Sequence, residues 1–314
     1  MKVFVTGGAG FIGSHLVKKL LQRGDFVTVY DNFSTGKRTF LEDCPGKQLT
    51  IIAADLLDEV KLKASMKGHD FVFHMAANPD VRIGEKDPSK ELNNGIIATY
   101  NVLEAMRANG ITKIAFSSSS VVYGEPTQFP TPETYGPLLP ISLYGASKLS
   151  SEALISAYCG TFSYTCWLFR FANIVGPQAT HGLIYDLMQK LQKNKNILEV
   201  LGDGKQRKAY VHVTDCVDAI LSTIDKDASP ATLKLYNISN ADQISVANIA
   251  QLLLKELAIP AAIKFTGTKR GWAGDVTVMH LDPKKINRLG WKPKMNSKET
   301  VIRAITELRT ACNL

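Results

Sequence analysis

The sequence predicts an α/β protein with a doubly wound parallel sheet and a second, smaller mixed α/β lobe. Helical patterns separate the short apolar segments at residues 1–6, 26–30, 50–55, 71–76 and 113–117. This alternation is typical of a parallel sheet covered by helices. Beyond residue 173, glycine and proline become denser and the alternation weakens. We therefore expect a first domain over residues 1–172 and a second mainly over 173–314, with parts that return to the first.

The first strand runs directly into a glycine-rich turn that precedes a helical segment at residues 14–20. Gly7 can take a tight-turn backbone, Gly10 lets the main chain approach a pyrophosphate, and Gly13 lets the helix pack close to the strand. The amino end of the helix supplies amide donors and a positive dipole. This pattern predicts a dinucleotide site of the Rossmann type.

The second strand ends at Asp31, about twenty residues beyond the glycines, where a carboxylate can accept both hydrogen bonds of an adenosine ribose. A carboxylate there repels a 2'-phosphate. The sequence thus favours NAD over NADP, although Lys37 and Arg38 follow closely.

Three further helices and one loop follow from periodicity and from helix-ending residues. A covering helix is expected over residues 96–106, ended by Asn109 and Gly110, and another should begin at Tyr144 and run through Leu154. A third is expected over residues 246–255, and residues 270–275 should form a loop.

Composition excludes several classes of protein. No apolar run reaches the roughly eighteen residues of a membrane span, and the first residues enter a strand, so we expect neither a membrane segment nor export, and the cytoplasm is the expected compartment. Five cysteines without Cys-x-x-Cys spacing indicate reduced thiols and no metal site. The net charge is +8, but the lysines are scattered, which favours a solvated surface over a nucleic acid partner.

Tyr144 and Lys148 are four residues apart and therefore share one face of their helix. An ammonium there stabilises a phenolate and should lower the tyrosine pKa from about 10 towards the working pH, as a base that acts on an alcohol requires. Four serines, residues 117–120, end a strand on the ligand side of the sheet. A serine hydroxyl and the phenol can then converge on one substrate oxygen.

Together these features resemble the extended short-chain dehydrogenase/reductase family, most closely its NAD-dependent nucleotide-sugar epimerases of the UDP-glucose 4-epimerase type. The resemblance covers nearly the whole chain. The matching segments are residues 6–13, 31–32, 55–56, 74–77, 94, 117–124, 144–148, 170–173 and 210–215.

The resemblance implies a set of functional residues. The implied catalytic residues are Ser119, Tyr144 and Lys148. Those implied to hold NAD are Gly7, Gly10, Phe11, Ile12, Gly13, Asp31, Asn32, Thr35, Gly36, Asp55, Leu56, Ala76, Ala77, Asn94, Ser117, Tyr144 and Lys148. Those implied to bind substrate are Ser119, Tyr144, Asn173, Lys208 and Arg270.

Some positions depart from the family pattern. Lys208 and Ala209, preceded by Arg207, stand where relatives have Arg-Asp, which leaves open which cation meets the substrate diphosphate. Arg270 is also farther from Gly274 and Asp275 than in many relatives, and Met279 matches the family's gate for N-acetylated sugars. A flexible thioether there neither clearly blocks nor clearly admits the larger substrate.

The resemblance implies inversion at C4 of a UDP-hexose, either UDP-galactose or UDP-glucose, through a transient 4-keto sugar, by a homodimer. Ser120 and Val121 stand where related dehydratases and decarboxylases carry carboxylates, and epimerisation needs neither. Three alternatives stay open: 4-epimerisation of a UDP-N-acetylhexosamine or UDP-uronate, net NAD-dependent oxidoreduction of a nucleotide sugar, and a non-enzyme that senses NAD or binds RNA.

Overall fold

The computed structural model describes residues 1–312, which form two compact units. Unit 1 comprises Met1–Val122, Leu143–Arg170 and Lys226–Tyr236, and unit 2 comprises Tyr123–Ser142, Phe171–Asp225 and the chain from Asn237 onward. The chain passes between the units several times. The division of binding roles between the two domains expected from the sequence remains a prediction.

The regular elements follow in chain order. The strands are β1 Lys2–Thr6, β2 Phe26–Asp31, β3 Leu49–Ala53, β4 Phe71–His74, β5 Lys113–Ser119, β6 Thr165–Phe171, β7 Asn173–Val175, β8 Ile197–Val200, β9 Arg207–Lys208, β10 Tyr210–His212, β11 Leu233–Ile238, β12 Ile244–Ser245, β13 Ala262–Phe265 and β14 Val278–Met279. The α-helices are α1 Phe11–Gln22, α2 Glu59–Ser65, α3 Ile83–Lys86, α4 Pro88–Glu91, α5 Ala98–Ala108, α6 Leu143–Phe162, α7 Leu183–Lys193, α8 Val213–Lys226, α9 Val246–Leu257, α10 Lys284–Asn287 and α11 Ser297–Ala311. A π-helix, Leu92–Ile97, lies between α4 and α5, and a 3-10 turn, Ser120–Tyr123, follows β5.

Unit 1 is built on a seven-stranded sheet in the order β11-β6-β5-β4-β1-β2-β3. β1 pairs in parallel with both β2 and β4, so the direction of winding reverses at β1. Ligands of doubly wound sheets bind at such a reversal, beyond the carboxyl ends of the strands. The predicted fold class is confirmed.

The core of unit 1 explains why its strands read as continuous apolar runs. β4 is buried along its whole length, as expected for a parallel sheet covered on both faces. Phe4, Val72 and Ile114 from three neighbouring strands pack with Leu103 and Met106 of α5 in one cluster. Burial of such side chains contributes about 1.5–3 kcal/mol each.

The predicted covering helix differs from the structure at its start. Its residues 96–97 belong to the π-helix, and α5 begins at Ala98. The apolar period fits both helix types over so short a stretch, which is why the pattern did not separate them. The predicted end is confirmed, because α5 stops at Ala108 before Asn109, and Gly110 takes a positive φ of 68°.

Unit 2 contains smaller sheets, β10-β7, β12-β9-β14 and β13-β8, with the longer helices α7, α8, α9 and α11. The third predicted helix is confirmed as α9, which Ser245 caps by accepting a hydrogen bond from the Asn248 amide at 3.2 Å. Residues 270–275 form the expected loop. In the part of the chain that the structure describes, every helix is too short or too polar to cross a membrane.

Candidate active site

In the glycine turn after β1, neither Gly7 nor Gly13 leaves room for a side chain. Gly7 has a positive φ of 66°, and a Cβ there would lie 2.6 Å from the Ala76 Cα. A Cβ on Gly13 would lie 2.1 Å from the Gly7 carbonyl oxygen. Gly10 caps α1 with extended backbone, so the amides at the start of the helix, at Phe11 and Ile12, face the turn. The turn fits a dinucleotide pyrophosphate.

Asp31 is held in a fixed orientation at the carboxyl end of β2. Its Oδ2 accepts a hydrogen bond from the Ala9 amide at 2.9 Å, and its Oδ1 accepts one from the Phe33 amide at 2.8 Å. Burial raises the pKa of this carboxyl, whereas the two amide hydrogen bonds lower it. Each oxygen keeps a further acceptor site for a ribose hydroxyl. Gly36 approaches closely, since a Cβ there would lie 3.0 Å from Oδ1.

The predicted adenosine residues lie around Asp55. The Asp55 carboxylate accepts hydrogen bonds from Asn32 Nδ2 at 2.8 Å and from the Leu57 amide at 2.9 Å. The Leu56 carbonyl accepts one from Asn101 Nδ2 at 3.0 Å, which anchors this turn to α5. Thr35 lies in the loop after β2, just before Gly36.

The three predicted catalytic residues come together in unit 1. Ser119 ends β5, Tyr144 is the second residue of α6, and their hydroxyl groups share a hydrogen bond. Lys148, one turn along α6, donates from Nζ to the Ser117 carbonyl at 2.6 Å. The same Nζ lies 5.9 Å from the centre of the Tyr144 ring and 4.6 Å from that of Phe116.

Burial governs the ionisation of this trio. Burial raises the pKa of Tyr144 well above its usual range, and the Glu91 charge raises it further, whereas the Ser119 hydrogen bond lowers it. Burial lowers the pKa of Lys148 to about 8. The lowered tyrosine pKa expected from the sequence is therefore wrong for this structure, because burial of the phenolate and the Glu91 charge together outweigh the Ser119 hydrogen bond.

The other predicted cofactor residues flank the trio. The Ala76 amide donates to Thr6 Oγ1 at 3.3 Å, and the Ser117 hydroxyl donates to the His74 carbonyl at 3.2 Å. Ala76 and Ala77 line one cavity with Tyr144 and Lys148. Asn94 lies in the π-helix, which packs against α6.

The predicted diphosphate residues lie in unit 2 around one carboxylate. Lys208 Nζ donates to Asp275 at 2.7 Å, and Arg270 donates to the Asp275 carbonyl at 3.3 Å and to both oxygens of Glu125 at 2.9 Å. Asn173 donates to the carbonyl of Ala209, which follows Lys208, at 3.2 Å. Lys208 and Arg270 thus both contact Asp275, whereas which cation meets the substrate diphosphate remains a prediction. Neither the Asp275 nor the Glu125 contact was predicted from the sequence.

The comparisons with known proteins agree with this geometry. A sequence profile described as the NAD dependent epimerase/dehydratase family matches residues 3–239. This chain belongs to that family.

Individual members of the family resemble the chain over nearly its whole length. It is 31% identical to a putative UDP-glucose 4-epimerase of Methanocaldococcus jannaschii, over 98% of each chain. A crystal structure of a UDP-galactose 4-epimerase superposes with a TM-score of 0.90 at 40% identity, over 99% of each chain. The Thermotoga maritima UDP-glucose 4-epimerase with UDP-glucose gives a TM-score of 0.88 at 30% identity, over 99% of each chain. The predicted family, epimerase type and NAD cofactor are confirmed.

One buried ion pair that was not predicted from the sequence joins the elements that carry the predicted catalytic residues. Arg170 of β6 donates to Glu152 of α6 through Nε at 3.0 Å and Nη2 at 2.6 Å, and the Ser118 hydroxyl of β5 donates to the same carboxylate at 2.5 Å. All three side chains are buried. Glu152 lies one turn beyond Lys148, and Ser118 precedes Ser119. The network therefore fixes α6 against the strand that carries Ser119, the predicted catalytic serine. The sequence shows Glu152 four residues after Lys148, on the same face of the helix, but no nearby residue identifies Arg170 as its partner.

Proposed function

We propose that this chain is a NAD-dependent epimerase that inverts C4 of a UDP-hexose, interconverting UDP-galactose and UDP-glucose through a transient 4-keto sugar. The observation that carries the proposal is the convergence of the Ser119 hydroxyl, the Tyr144 phenol and the Lys148 ammonium in the unit that contains the glycine turn. This arrangement can remove and return a proton on an alcohol oxygen.

The roles of the side chains follow from their placement. Tyr144 takes the proton of the sugar 4-hydroxyl, and Ser119 hydrogen-bonds the same oxygen. The Lys148 ammonium opposes the rise in the Tyr144 pKa as the phenolate forms. Bound NAD supplies a hydride acceptor and donor for C4. Tyr144 then returns its proton, so one base serves both directions.

The segment after the catalytic serine supports epimerisation over related chemistry. Ser120 and Val121 occupy a 3-10 turn where the related dehydratases and decarboxylases carry carboxylates. Elimination and assisted decarboxylation need an additional acid or base beside the sugar, and neither side chain provides one.

We further propose that unit 1 holds NAD, with the glycine turn at the pyrophosphate and Asp31 at the adenosine ribose. In unit 2, Asn173, Lys208 and Arg270 would bind the substrate diphosphate. Two cations near one position suit that group, because charge-assisted hydrogen bonds to phosphate are stronger than neutral ones. Met279 is buried and pairs with Lys208 between β14 and β9, which places it beside a proposed diphosphate residue.

A homodimer is the proposed assembly. Large apolar side chains are exposed on the π-helix, at the start of α5 and at both ends of α6, namely Leu92, Ile97, Tyr100, Leu143 and Phe162. These helices are neighbours in unit 1. An apolar surface of this kind suits a second copy of the chain. A cytoplasmic location and the absence of nucleic acid partners remain predictions.

The deciding experiment is incubation of the purified protein with UDP-galactose and no added cofactor, followed by proton NMR. Appearance of UDP-glucose supports a 4-epimerase that carries its own NAD. If UDP-galactose is not converted, even with NAD added, the proposed substrate is wrong, and UDP-N-acetylhexosamines and UDP-uronates should be tested in the same assay. Stoichiometric release of NADH would instead indicate net oxidoreduction.

A further inference from the structure

Glu91 is a buried carboxylate that no motif of the sequence singles out. It is the last residue of α4, directly before the π-helix, and its exposed fraction is 3%. Its Oε1 accepts a hydrogen bond from Asn78 Nδ2 at 2.6 Å, and its Oε2 accepts one from the Ser147 hydroxyl at 3.3 Å. Both donors stabilise the carboxylate form.

Close backbone packing holds Glu91 beside α6. Gly95 of the π-helix lies so near α6 that a Cβ on it would be 2.8 Å from both Cβ and Oγ of Ser147. A Cβ on Gly84 of α3 would lie 3.3 Å from the Glu91 Cγ. The carboxylate is thus enclosed by α3, the π-helix and the α6 residue that precedes Lys148. It has little room to swing away from the catalytic helix.

Glu91 lies within the electrostatic environment of the catalytic pair. It lines the same cavity as Tyr144 and Lys148. After burial, its charge is the largest influence on the pKa of both side chains, and it raises both.

The other ionisable groups at this place are few. The Glu152 charge also raises the pKa of Lys148. Burial lowers the pKa of His74 to about 3, and the charge of Lys148 lowers it as well. Burial raises the pKa of Glu91, and the Asp80 charge raises it slightly further. The hydrogen bonds from Asn78 and Ser147 and the Lys148 charge lower this pKa and so favour the carboxylate. Glu152 is already paired with Arg170, and His74 is neutral. Of the two carboxylates that act on Lys148, Glu91 is the one whose hydrogen-bond donors, Asn78 and Ser147, are both neutral.

We propose that Glu91 is a positioning residue for proton transfer: its carboxylate holds Lys148 as an ammonium and sets the pH range over which Tyr144 exchanges a proton with the sugar hydroxyl. This inference rests on the proposed epimerase function. The carboxylate acts through Lys148 and Tyr144 rather than on the substrate.

The direction of the effect can be worked out. Activity requires Tyr144 to give up its proton and Lys148 to keep its own, so the pKa values of these two groups set the two limits of the pH profile. Removing the Glu91 charge lowers the pKa of both groups. The whole pH window should therefore move downwards, with both limbs displaced in the same direction.

The first test is the pH profile of kcat and of kcat/KM for the wild type and for Glu91→Gln, with UDP-galactose as substrate. We expect both limbs of the Glu91→Gln profile to move to lower pH, by about one unit. A merely structural role would reduce the height of the profile and leave its limbs in place, and that result would overturn the inference. Ser147→Ala is the matched control, because it removes a hydrogen bond from Glu91 and keeps the charge. Its limbs should stay in place.

A second readout is independent of the substrate. The ultraviolet absorbance of tyrosinate is titrated in the NAD-loaded protein, and the Tyr144 component is obtained by subtracting the matching Tyr144→Phe variant. The Tyr144 phenolate should form at lower pH in Glu91→Gln than in the wild type. If UDP-galactose is not converted but this titration shifts, the inference on Glu91 stands and the proposed substrate fails. If UDP-galactose is converted normally, and neither the limbs of the pH profile nor the tyrosinate titration move in Glu91→Gln, the inference on Glu91 fails while the proposed function stands.

A third variant serves if Glu91→Gln does not fold. Glu91→Asp keeps the charge but withdraws it by one methylene. It should shift the limbs and the tyrosinate titration in the same direction by a smaller amount. A folded Glu91→Asp protein with wild-type limbs and titration would contradict the proposal.

Discussion

His74 ends β4 in full burial, with Nδ1 2.7 Å from Thr6 Oγ1 and Nε2 3.1 Å from Thr99 Oγ1. Burial, together with the nearby Lys148, lowers its pKa from 6.5 to about 3. The same cause lowers the pKa of Lys148 and raises that of Tyr144. At the scale of residues, desolvation dominates the ionisation of Tyr144, Lys148 and His74, and neighbouring charges modulate it.

The state of His74 predicts how stability depends on pH. In the unfolded chain His74 binds a proton below its ordinary pKa of about 6.5, whereas in the folded protein it stays neutral down to about pH 3. His74 therefore makes the folded state less stable as the pH drops through this range. We expect His74→Gln to have a lower melting temperature than the wild type near neutral pH. Between about pH 7 and about pH 5, however, the melting temperature of the variant should fall less than that of the wild type. Calorimetry over that range measures the two slopes. Equal slopes would show that His74 accepts a proton in the fold.

Substitution of the proposed base separates cofactor binding from chemistry. Tyr144→Phe should keep bound NAD, because the glycine turn and Asp31 are untouched, and should lose turnover by a factor of about 10² or more. The measurements are the NAD content of the purified protein and the rate of UDP-galactose conversion. Near-normal turnover would remove Tyr144 from the mechanism.

At the scale of elements, the parts that the sequence predicted are those whose causes are local. Gly7 takes a positive φ, and Gly13 lies against the Gly7 carbonyl, so β1, the turn and α1 can be predicted from residues within one short segment. The contacts that were missed join distant segments: Glu91 and Ser147 are 56 residues apart, and Glu152 and Arg170 are 18 apart. Periodicity cannot identify such partners, nor can it separate a π-helix from an α-helix over a single turn.

Two helical glycines provide a matched test of the turn. Gly13 and Gly160 both lie within helices, but of the two only Gly13 would place a Cβ within 4 Å of a neighbouring atom. Gly160→Ala should raise the free energy of unfolding by up to about 1 kcal/mol, because alanine has a higher helix propensity than glycine. Gly13→Ala should lose stability and NAD binding, because its methyl group would lie 2.1 Å from the Gly7 oxygen. Chemical denaturation and NAD content report both effects. Equal behaviour of the two variants would mean that the turn tolerates a side chain.

At the scale of the whole molecule, the chain is basic, with a net charge of +8, and both NAD and a UDP-sugar are anionic. Several cations nevertheless already have carboxylate partners within the fold, including Arg170, Lys208 and Arg270. The net charge therefore describes the surface more than the candidate site. The exposed apolar side chains are the clearer indication of a partner.

The proposed homodimer can be tested by placing a charge on that apolar surface. Tyr100 is 43% exposed at the start of α5, and Tyr100→Glu should shift the protein from dimer to monomer in sedimentation velocity. Phe26→Lys is the control, because Phe26 is 53% exposed but lies at the start of β2. A wild type that sediments as a monomer would reject the proposed assembly. A dimer that survives in Tyr100→Glu would place its interface elsewhere.

The carboxylate of Asp275 gives Lys208, one of the cations proposed to bind the diphosphate, a resident counter-ion. Lys208 contacts it at 2.7 Å, Arg270 reaches its carbonyl, and its Oδ2 also accepts a hydrogen bond from the Gly271 amide at 3.1 Å. If these cations bind the diphosphate as proposed, arrival of substrate is an exchange of anions rather than an addition. Affinity would then measure a difference between two sets of ionic contacts, and release would be assisted because Asp275 competes for Lys208 and Glu125 competes for Arg270. The two carboxylates would lower the affinity for product as well as for substrate, which favours turnover over tight retention of either sugar nucleotide.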